Sequence, residues 1–179
     1  MLEKGLVQIY TGDGKGKTIA AIGLALRAAG HGNKVFIYQF LKPPSLDIGE
    51  RRVLSSLKSI KVEALDILWD MTKSPNDPKA TAEAQTAIHK ALEDITESAA
   101  KREYDILILD EIVYCLSKGL AKLDDVKNLI EKRDGHVEIV LTGRGATQEL
   151  VDMADLVSEM KNIKHPYEKD VPARRGIEF

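Results

Sequence analysis

Short runs of apolar, often β-branched residues alternate along the chain with longer stretches in which apolar residues recur at helical spacing. This alternation predicts strands that are connected by helices. The predicted strands are residues 6–10, 34–40, 60–65, 104–109, 136–142 and 156–160. The run 104–109 ends in four consecutive apolar residues, a pattern typical of strands buried on both faces of a parallel sheet.

The helical stretches complete this pattern. In residues 79–102, the clearest amphipathic helix, Ala84, Ile88 and Leu92 fall on one face. Shorter helices are predicted at residues 19–29, 123–132 and 148–153, and residues 42–50 and 72–78 are expected to be exposed loops. Because strands and helices alternate, we predict the α/β fold class, with one domain over residues 1–179 and a mostly parallel sheet between helical layers.

A glycine-rich stretch with two lysines joins the first strand to the first helix. Its residues are Thr11, Gly12, Asp13, Gly14, Lys15, Gly16, Lys17 and Thr18. Alternate glycines let successive backbone N–H groups point at one anion, while the helix N-terminus and Lys17 add positive charge. A strand, a glycine loop, Gly-Lys-Thr and a helix in this order predict a single P-loop NTPase (RecA-like) domain that binds a nucleoside triphosphate at these residues.

This loop is one residue shorter than the usual phosphate loop, which has four residues between its first glycine and the Gly-Lys-Ser/Thr. Here Gly12 and Gly16 enclose three residues, and Thr11 stands at the position of the usual first glycine. Either the triphosphate lies differently in the loop, or Thr11 replaces a glycine at some steric cost. Lys15 adds a second positive charge inside the loop, which favours binding of a heavily charged phosphate group.

Two acidic residues, Asp110 and Glu111, follow the strand 104–109. In phosphate-loop proteins an acid in this position is brought by a neighbouring strand beside the Thr hydroxyl of the loop, where it holds Mg²⁺ directly or through water. We therefore predict that Thr18, Asp110 and Glu111 form a magnesium site.

Further ligand-binding residues are expected at the carboxyl ends of the other strands, where open α/β sheets bind their ligands. Arg144 lies between two glycines directly after the strand 136–142, so the backbone can approach a ligand and the guanidinium can reach phosphate. Gln39 and Lys42 lie at the end of the second strand and are expected to line the same crevice.

Composition narrows the class of protein further. The 26 basic and 28 acidic residues nearly cancel and form no long block, so we predict no nucleic-acid partner. No apolar run reaches the length of a membrane span and the N-terminus has no signal-peptide pattern, so we expect a cytoplasmic enzyme without a membrane partner. The single cysteine, Cys115, lies in a helical segment and is expected to be a buried structural thiol.

In combination these segments resemble one family, the phosphate-loop ATP:corrinoid (cob(I)alamin) adenosyltransferases. The matching segments run in family order over nearly the whole chain and are residues 10–18, 28–32, 39–42, 49–51, 109–111, 141–145, 154–157, 164–166 and 175–178. The most specific feature is the short Gly-x-Gly-Lys-Gly-Lys-Thr loop together with a Thr-Gly-Arg-Gly strand end.

The resemblance implies that the chain transfers the 5′-deoxyadenosyl group of ATP to the Co(I) of a reduced corrinoid such as cobalamin and releases triphosphate. It implies a homodimer, a flavoprotein as the expected reductant, and an ATP that lies along the loop in the reverse of the usual direction. That reversal would account for the short loop. Co(I) itself attacks the ribose C5′, so the protein positions the substrates and stabilises charge on the departing triphosphate. Lys15, Lys17 and Glu111 are assigned as catalytic residues on this basis.

The resemblance also implies a role for Trp69, although a lone tryptophan is more often a packing residue. The family displaces the lower axial ligand of the corrinoid with apolar or aromatic residues, and Trp69 matches one of these corrinoid-binding positions. Ile67 stands where the family has a second aromatic residue, which predicts a weaker or differently built wedge. Longer members carry an N-terminal arm over the corrinoid, whereas the first strand here begins near residue 6, so we expect reduced affinity or completion of the pocket by a partner.

Two other functions remain open at the level of sequence. A kinase or ATPase on the same fold would act at the γ-phosphate and would form ADP instead of triphosphate. A nucleotide-gated binding module would carry a corrinoid, or associate with nucleic acid as RecA-like domains do, without catalysing adenosyl transfer.

Overall fold

A computed structural model describes residues 2–179 as six strands that alternate with helices. The strands are β1 (Val7–Thr11), β2 (Val35–Gln39), β3 (Ile60–Ala64), β4 (Ile106–Asp110), β5 (Glu138–Thr142) and β6 (Leu156–Glu159). The helices are α1 (Lys17–Gly30), α2 (Gly49–Leu54), α3 (Pro78–Ala100), α4 (Ile112–Ser117), α5 (Leu123–Lys132) and α6 (Gln148–Asp152). Two short 3₁₀ turns lie at Ser74–Asn76 and Pro166–Lys169.

The six strands form one sheet in the order β3-β2-β4-β5-β1-β6, and all neighbouring strands are parallel. The register pairs Gln39 with Asp110 across β2 and β4, and Tyr10 with Thr142 across β5 and β1. The carboxyl ends of β2, β4, β5 and β1 therefore lie side by side at one edge of the sheet. The segments that follow these four strands meet there.

Successive side chains of each strand point to opposite faces of the sheet and belong to two separate hydrophobic cores, one on each face. One core contains buried residues of α3, α4, α5 and α6 packed on Ile9, Leu107, Leu109 and other strand residues. The second core contains Ala21, Ala25 and Ala28 of α1 and Leu54 of α2, packed on the opposite face of the sheet. The small alanine side chains let α1 lie close to the strands, which places its N-terminus over the carboxyl edge of the sheet.

The structure confirms the predicted α/β class and the parallel sheet between helical layers. The amphipathic helix is α3, which begins at Pro78 after Asp77 caps its N-terminus by accepting from Lys79 N and Ala80 N. The segments expected to be loops hold more structure than predicted, since α2 begins at Gly49 and a 3₁₀ turn forms within 72–78. No helix within residues 2–179 is long and apolar enough to span a membrane.

Candidate active site

The glycine-rich loop between β1 and α1 curls tightly around its own backbone. Gly12 has φ +94° and Gly16 has φ +122°, which are backbone conformations that residues other than glycine rarely adopt. A Cβ on Gly12 would lie 2.4 Å from the carbonyl oxygen of Met160, in the segment that follows β6. Gly14 N donates to the same carbonyl at 2.7 Å. These contacts fix the loop, and no side chain of residues 2–179 caps the N-terminus of α1. The first N–H groups of the helix remain available to an anion.

Lys17, the first residue of α1, points back into the loop. Its side chain is 7% exposed, and its Nζ donates to Gly12 O at 2.6 Å and to Gly14 O at 2.8 Å. Burial, followed by the positive charge of Arg144, lowers the pKa of Lys17. The ammonium therefore lies among backbone carbonyls within a loop shaped for an anion, and phosphate oxygens would be stronger acceptors than those carbonyls.

Lys15, the second loop lysine, has a different set of partners. Its Nζ donates to Glu178 Oε1 at 2.8 Å and to Ile177 O at 2.9 Å, both near the carboxyl end of the chain. The side chain remains 39% exposed and lines the same cavity as Lys17. The structure thus brings the two lysines to one cavity but holds them by separate contacts.

Asp110, the last residue of β4, is the hub of the polar network at the edge of the sheet. It is 1% exposed, and its Oδ1 accepts hydrogen bonds from Thr18 Oγ1 at 2.8 Å and from Thr142 Oγ1 at 2.7 Å. Its Oδ2 accepts from Lys42 Nζ at 2.6 Å and from Gln39 Nε2 at 3.4 Å. The side chain therefore ties the ends of β2 and β5 to the first turn of α1.

The predicted proximity of Thr18 and Asp110 is confirmed, but the reason given for it is wrong. Strand β4 is not a neighbour of β1, because β5 lies between them. The contact forms because α1 crosses the edge of the sheet and carries Thr18 past β5, whose Thr142 bonds to the same carboxylate oxygen.

Lys42 and Gln39 lie at this edge as predicted, but only Lys42 faces the cavity. Its Nζ lies 3.2 Å from Thr18 Oγ1 and 2.6 Å from Asp110 Oδ2, so an ammonium stands between a loop hydroxyl and a carboxylate. Gln39 is 1% exposed, and its Oε1 accepts from Arg51 Nε. Arg51 also donates to the backbone carbonyl of Lys42. Gln39 and Arg51 therefore support the position of Lys42.

Glu111 follows Asp110 in the left-handed conformation, with φ +69° and ψ +9°. This conformation is uncommon for a residue with a side chain, and it turns the chain from β4 into α4. The backbone N–H donates to Thr142 Oγ1 at 3.0 Å, and the side chain lines the cavity. Burial and the negative charge of Asp110 raise the pKa of Glu111. A bound cation would stabilise the ionised carboxylate of Glu111 and so would offset the free-energy cost of burying its charge.

The loop that follows β5 completes the wall opposite α1. Gly143 has φ +140°, and a Cβ on it would lie 2.5 Å from the backbone nitrogen of Tyr114 in α4. This close approach fixes the loop and leaves the next residue, Arg144, exposed at the cavity. The backbone of this loop also contacts the end of β1, directly before the glycine-rich loop, because Ala146 N donates to Thr11 Oγ1 at 3.4 Å.

The cavity between these elements has a volume of about 690 Å³, within the range of ligand-binding pockets. It is lined by Asp13, Gly14, Lys15, Gly16, Lys17, Thr18, Lys42, Glu111 and Arg144, together with Ile19 and Ile22 of α1, Val53 of α2, His165 and the last residues of the chain. Trp69 does not line it. Trp69 and Ile67 are partly buried and pack against the core that contains α3.

The donor set at the edge of the sheet fits Mg²⁺. Within residues 2–179 no group of three or more histidine, cysteine or acidic side chains forms a protein cage for a metal ion. Thr18 and Glu111 instead offer one hydroxyl and one carboxylate at the cavity, and the buried Asp110 accepts from the Thr18 hydroxyl behind them. This set suits an ion that takes its remaining ligands from phosphate and water. Lys42 already neutralises Asp110, so Glu111 is the carboxylate with the weaker compensation.

Some residues of the site were missed in the sequence. Glu178 and Ile177 were noted only as part of the matching segment 175–178. They lie more than 160 positions from Lys15, and no spacing rule connects them to the loop. Arg51 was noted only as part of a matching segment. Its role in supporting Gln39 and Lys42 depends on its position in α2, a helix too short to show a hydrophobic period in the sequence. Ile19 and Val53 line the cavity with apolar side chains and are 59% and 62% exposed. Exposed apolar side chains indicate a binding surface, but their exposure is known only once the fold is known.

The fold and the geometry of this edge define the class: an open, all-parallel α/β domain of the P-loop NTPase-like kind. The model of the family described as ATP:corrinoid adenosyltransferase BtuR/CobO/CobP matches residues 3–179. The chain belongs to this family, and it is therefore a transferase for adenosyl transfer to corrinoids.

Three relatives illustrate the similarity. The chain is 33% identical over 178 residues to the corrinoid adenosyltransferase of Escherichia coli (strain K12), and the match covers 99% of this chain and 87% of that protein. The same values hold for the corrinoid adenosyltransferase CobA of Salmonella typhimurium. A corrinoid adenosyltransferase of Pseudomonas aeruginosa is 33% identical over 180 residues, covering 99% of this chain and 85% of its own length.

Proposed function

We propose that this chain transfers the 5′-deoxyadenosyl group of ATP to the Co(I) of a reduced corrinoid and releases inorganic triphosphate. The observation that carries the proposal is the arrangement of Lys15, Lys17, Arg144 and uncapped helix N–H groups around one cavity. Membership of the adenosyltransferase family supplies the reaction class, and this cluster supplies the reason for a polyphosphate leaving group.

The reaction needs no nucleophile from the protein. The Co(I) electron pair attacks the ribose C5′, a cobalt–carbon bond forms, and the C5′–O bond breaks. Its electrons leave with triphosphate, so negative charge grows on the oxygens that face the loop. Lys17 is held at the centre of the loop by Gly12 O and Gly14 O, and it needs little movement to reach those oxygens. Preorganised donors of this kind stabilise developing charge at low reorganisation cost.

Magnesium belongs to the proposal, with Thr18 and Glu111 as the ligands from the protein and Asp110 as the acceptor that orients the Thr18 hydroxyl. The ion would supply charge neutralisation for the triphosphate. Glu111 would place its carboxylate at the cavity through the left-handed turn after β4. Lys42 would hold Asp110 in place and present its ammonium to the same end of the cavity.

The corrinoid is proposed to bind outside this cavity, on the side of the Trp69 segment between β3 and α3. Trp69 is partly buried, and its indole Nε1 has no hydrogen-bond partner within residues 2–179. A homodimer and a flavoprotein reductant are further parts of the proposal. Exposed apolar residues on the edge strand β6, Leu156 and Val157, are consistent with a second copy covering this edge.

The test is anaerobic incubation of the protein with ATP, Mg²⁺ and chemically reduced cobalamin. The proposal predicts the absorption spectrum of a cobalt–carbon bond and the appearance of one triphosphate for each corrinoid adenosylated. Formation of ADP with an unchanged corrinoid would instead identify a kinase or ATPase. Binding of both substrates without turnover would identify a binding module.

A further inference from the structure

The last six residues of the described chain form a compact turn, here called the C-terminal turn (residues 174–179). Gly176 N donates to Phe179 O at 2.7 Å, and Glu178 N donates to Arg174 O at 2.9 Å. The Glu178 carboxylate in turn accepts from the backbone N of Arg174 at 2.7 Å and from its Nη2 at 3.1 Å. The turn is thus organised around one carboxylate group.

This carboxylate contacts the phosphate loop. Lys15 Nζ lies 2.8 Å from Glu178 Oε1 and 2.9 Å from Ile177 O, so two of its three possible donor positions are directed at the C-terminal turn. A second contact, Arg175 Nη2 to Asp47 Oδ2 at 3.4 Å, joins the turn to the segment before α2. Lys15 and Glu178 both line the cavity assigned to the nucleotide.

The carboxylate resembles a phosphate in the contacts that it makes. Hydrogen bonds from Arg174 and Lys15 lower the pKa of Glu178 to about 2, so the group is ionised across the physiological pH range. It therefore presents a permanent negative charge to a lysine of the loop. The ion pair is partly exposed, with 39% of the Lys15 side chain and 23% of the Glu178 side chain accessible, so an entering anion can reach the lysine.

We propose that Glu178 competes with the polyphosphate of ATP for Lys15. In the ligand-free protein the Glu178 carboxylate binds the Lys15 ammonium, which the polyphosphate requires. Polyphosphate binding then displaces the C-terminal turn from the loop, and the return of Glu178 to Lys15 favours release of the triphosphate product. This inference rests on the proposed function, because it takes triphosphate as the ligand of the loop. A ligand shifts such an equilibrium only by its differential affinity for the two states.

The first test is the dissociation constant of inorganic triphosphate, measured by titration calorimetry for the parent and for Glu178→Gln. The ion pair between Lys15 and Glu178 must break before triphosphate binds Lys15, so removing it should tighten binding. Because exposed ion pairs contribute little free energy, we expect the variant to bind triphosphate about twofold to fivefold more tightly. The matched control is Glu168→Gln, because Glu168 is an exposed acid that bonds to Asn162 and does not line the cavity. The control is expected to bind triphosphate as the parent does.

Glu178→Gln also removes a negative charge near the cavity, which could tighten triphosphate binding without involving Lys15. Repeating the substitution in the Lys15→Ala background separates this general charge effect from competition for Lys15. If Glu178 acts through Lys15, then Glu178→Gln changes the dissociation constant in the parent background and leaves it unchanged when Lys15 is absent. Equal tightening in both backgrounds would show a long-range charge effect and would overturn the competition. Weaker binding by Glu178→Gln would also overturn it.

The second test is hydrogen exchange of the backbone N–H groups in the C-terminal turn. Saturating triphosphate is expected to speed their exchange, and Lys15→Ala is expected to do the same without any ligand. Slower exchange with triphosphate would show that the turn closes over the ligand and would overturn the proposal. If the parent binds triphosphate but Glu178→Gln has no effect, only this inference fails. If the parent binds no triphosphate, the proposed function of the loop fails with it.

Discussion

Replacing Asp110 with asparagine should destabilise the ligand-free protein by about 3 kcal/mol, because the side chain satisfies four donors with two oxygens. An asparagine oxygen on the side of Thr18 and Thr142 keeps those two bonds. The amide NH₂ then faces Lys42 Nζ and Gln39 Nε2, which are themselves donors. One bond to a charged group at about 1.5–3 kcal/mol and one neutral bond at about 1 kcal/mol are lost.

The measurement is urea unfolding at pH 7 without Mg²⁺ or nucleotide, together with the thermal midpoint, which should fall by about 6–12 °C. Asp152→Asn is the matched control, because Asp152 accepts one bond from Gln148 on the exposed end of α6 and should change little. Adding Lys42→Met to Asp110→Asn should recover part of the loss by removing the unpaired ammonium. A loss below 1 kcal/mol for Asp110→Asn would refute the assignment of Asp110 as the hub.

Three further predictions concern single side chains of the site and the core. Burial raises the pKa of Glu111 above its ordinary value of 4.5, so the folded chain binds this proton more tightly than the unfolded chain and loses stability as pH rises through the folded pKa. Glu111→Gln should remove that loss and be more stable than the parent to urea at pH 7; an identical pH dependence would contradict this. Lys17→Ala should lower the rate of corrinoid adenosylation by about 10²–10³, while the exposed Lys127→Ala keeps the parent rate; equal rates for both variants would exclude the role of Lys17. Burial raises the pKa of the Cys115 thiol, so a thiol reagent should react only at the rate of unfolding, and rapid reaction with the native protein would be inconsistent with the core.

The sequence predicts the fold wherever an element has a clear period. Strands β1 to β6 and helices α1, α3, α5 and α6 all lie within a few residues of their predicted bounds. Helices α2 and α4 have six residues each, which is less than two turns and too short for a hydrophobic period to show. The sequence therefore predicted no bounds for them, although Cys115 was expected to lie in a helical segment and does lie in α4. The order of the strands in the sheet could not be predicted from the hydrophobic pattern either, because it depends on how the connections between parallel strands pack on the sheet.

The site was predictable where residues directly follow strands and unpredictable where distant segments meet. Asp110, Glu111, Lys42 and Arg144 lie at one edge because parallel strands end there. The insertion of β5 between β1 and β4, and the folding of the C-terminal turn onto Lys15, depend on tertiary packing. The same holds for Trp69, whose position in a family motif does not say which cavity it faces.

The central claim, that the loop binds the triphosphate of ATP while the adenosyl carbon is transferred, is tested most directly with ATP carrying ¹³C at the ribose C5′. The products of a reaction with reduced corrinoid are followed by ¹³C and ³¹P magnetic resonance. The account predicts that the label moves to a cobalt-bound carbon in the corrinoid and that the phosphorus signals are those of free triphosphate. Label that stays in ADP or AMP, with pyrophosphate or phosphate as the other product, would contradict it.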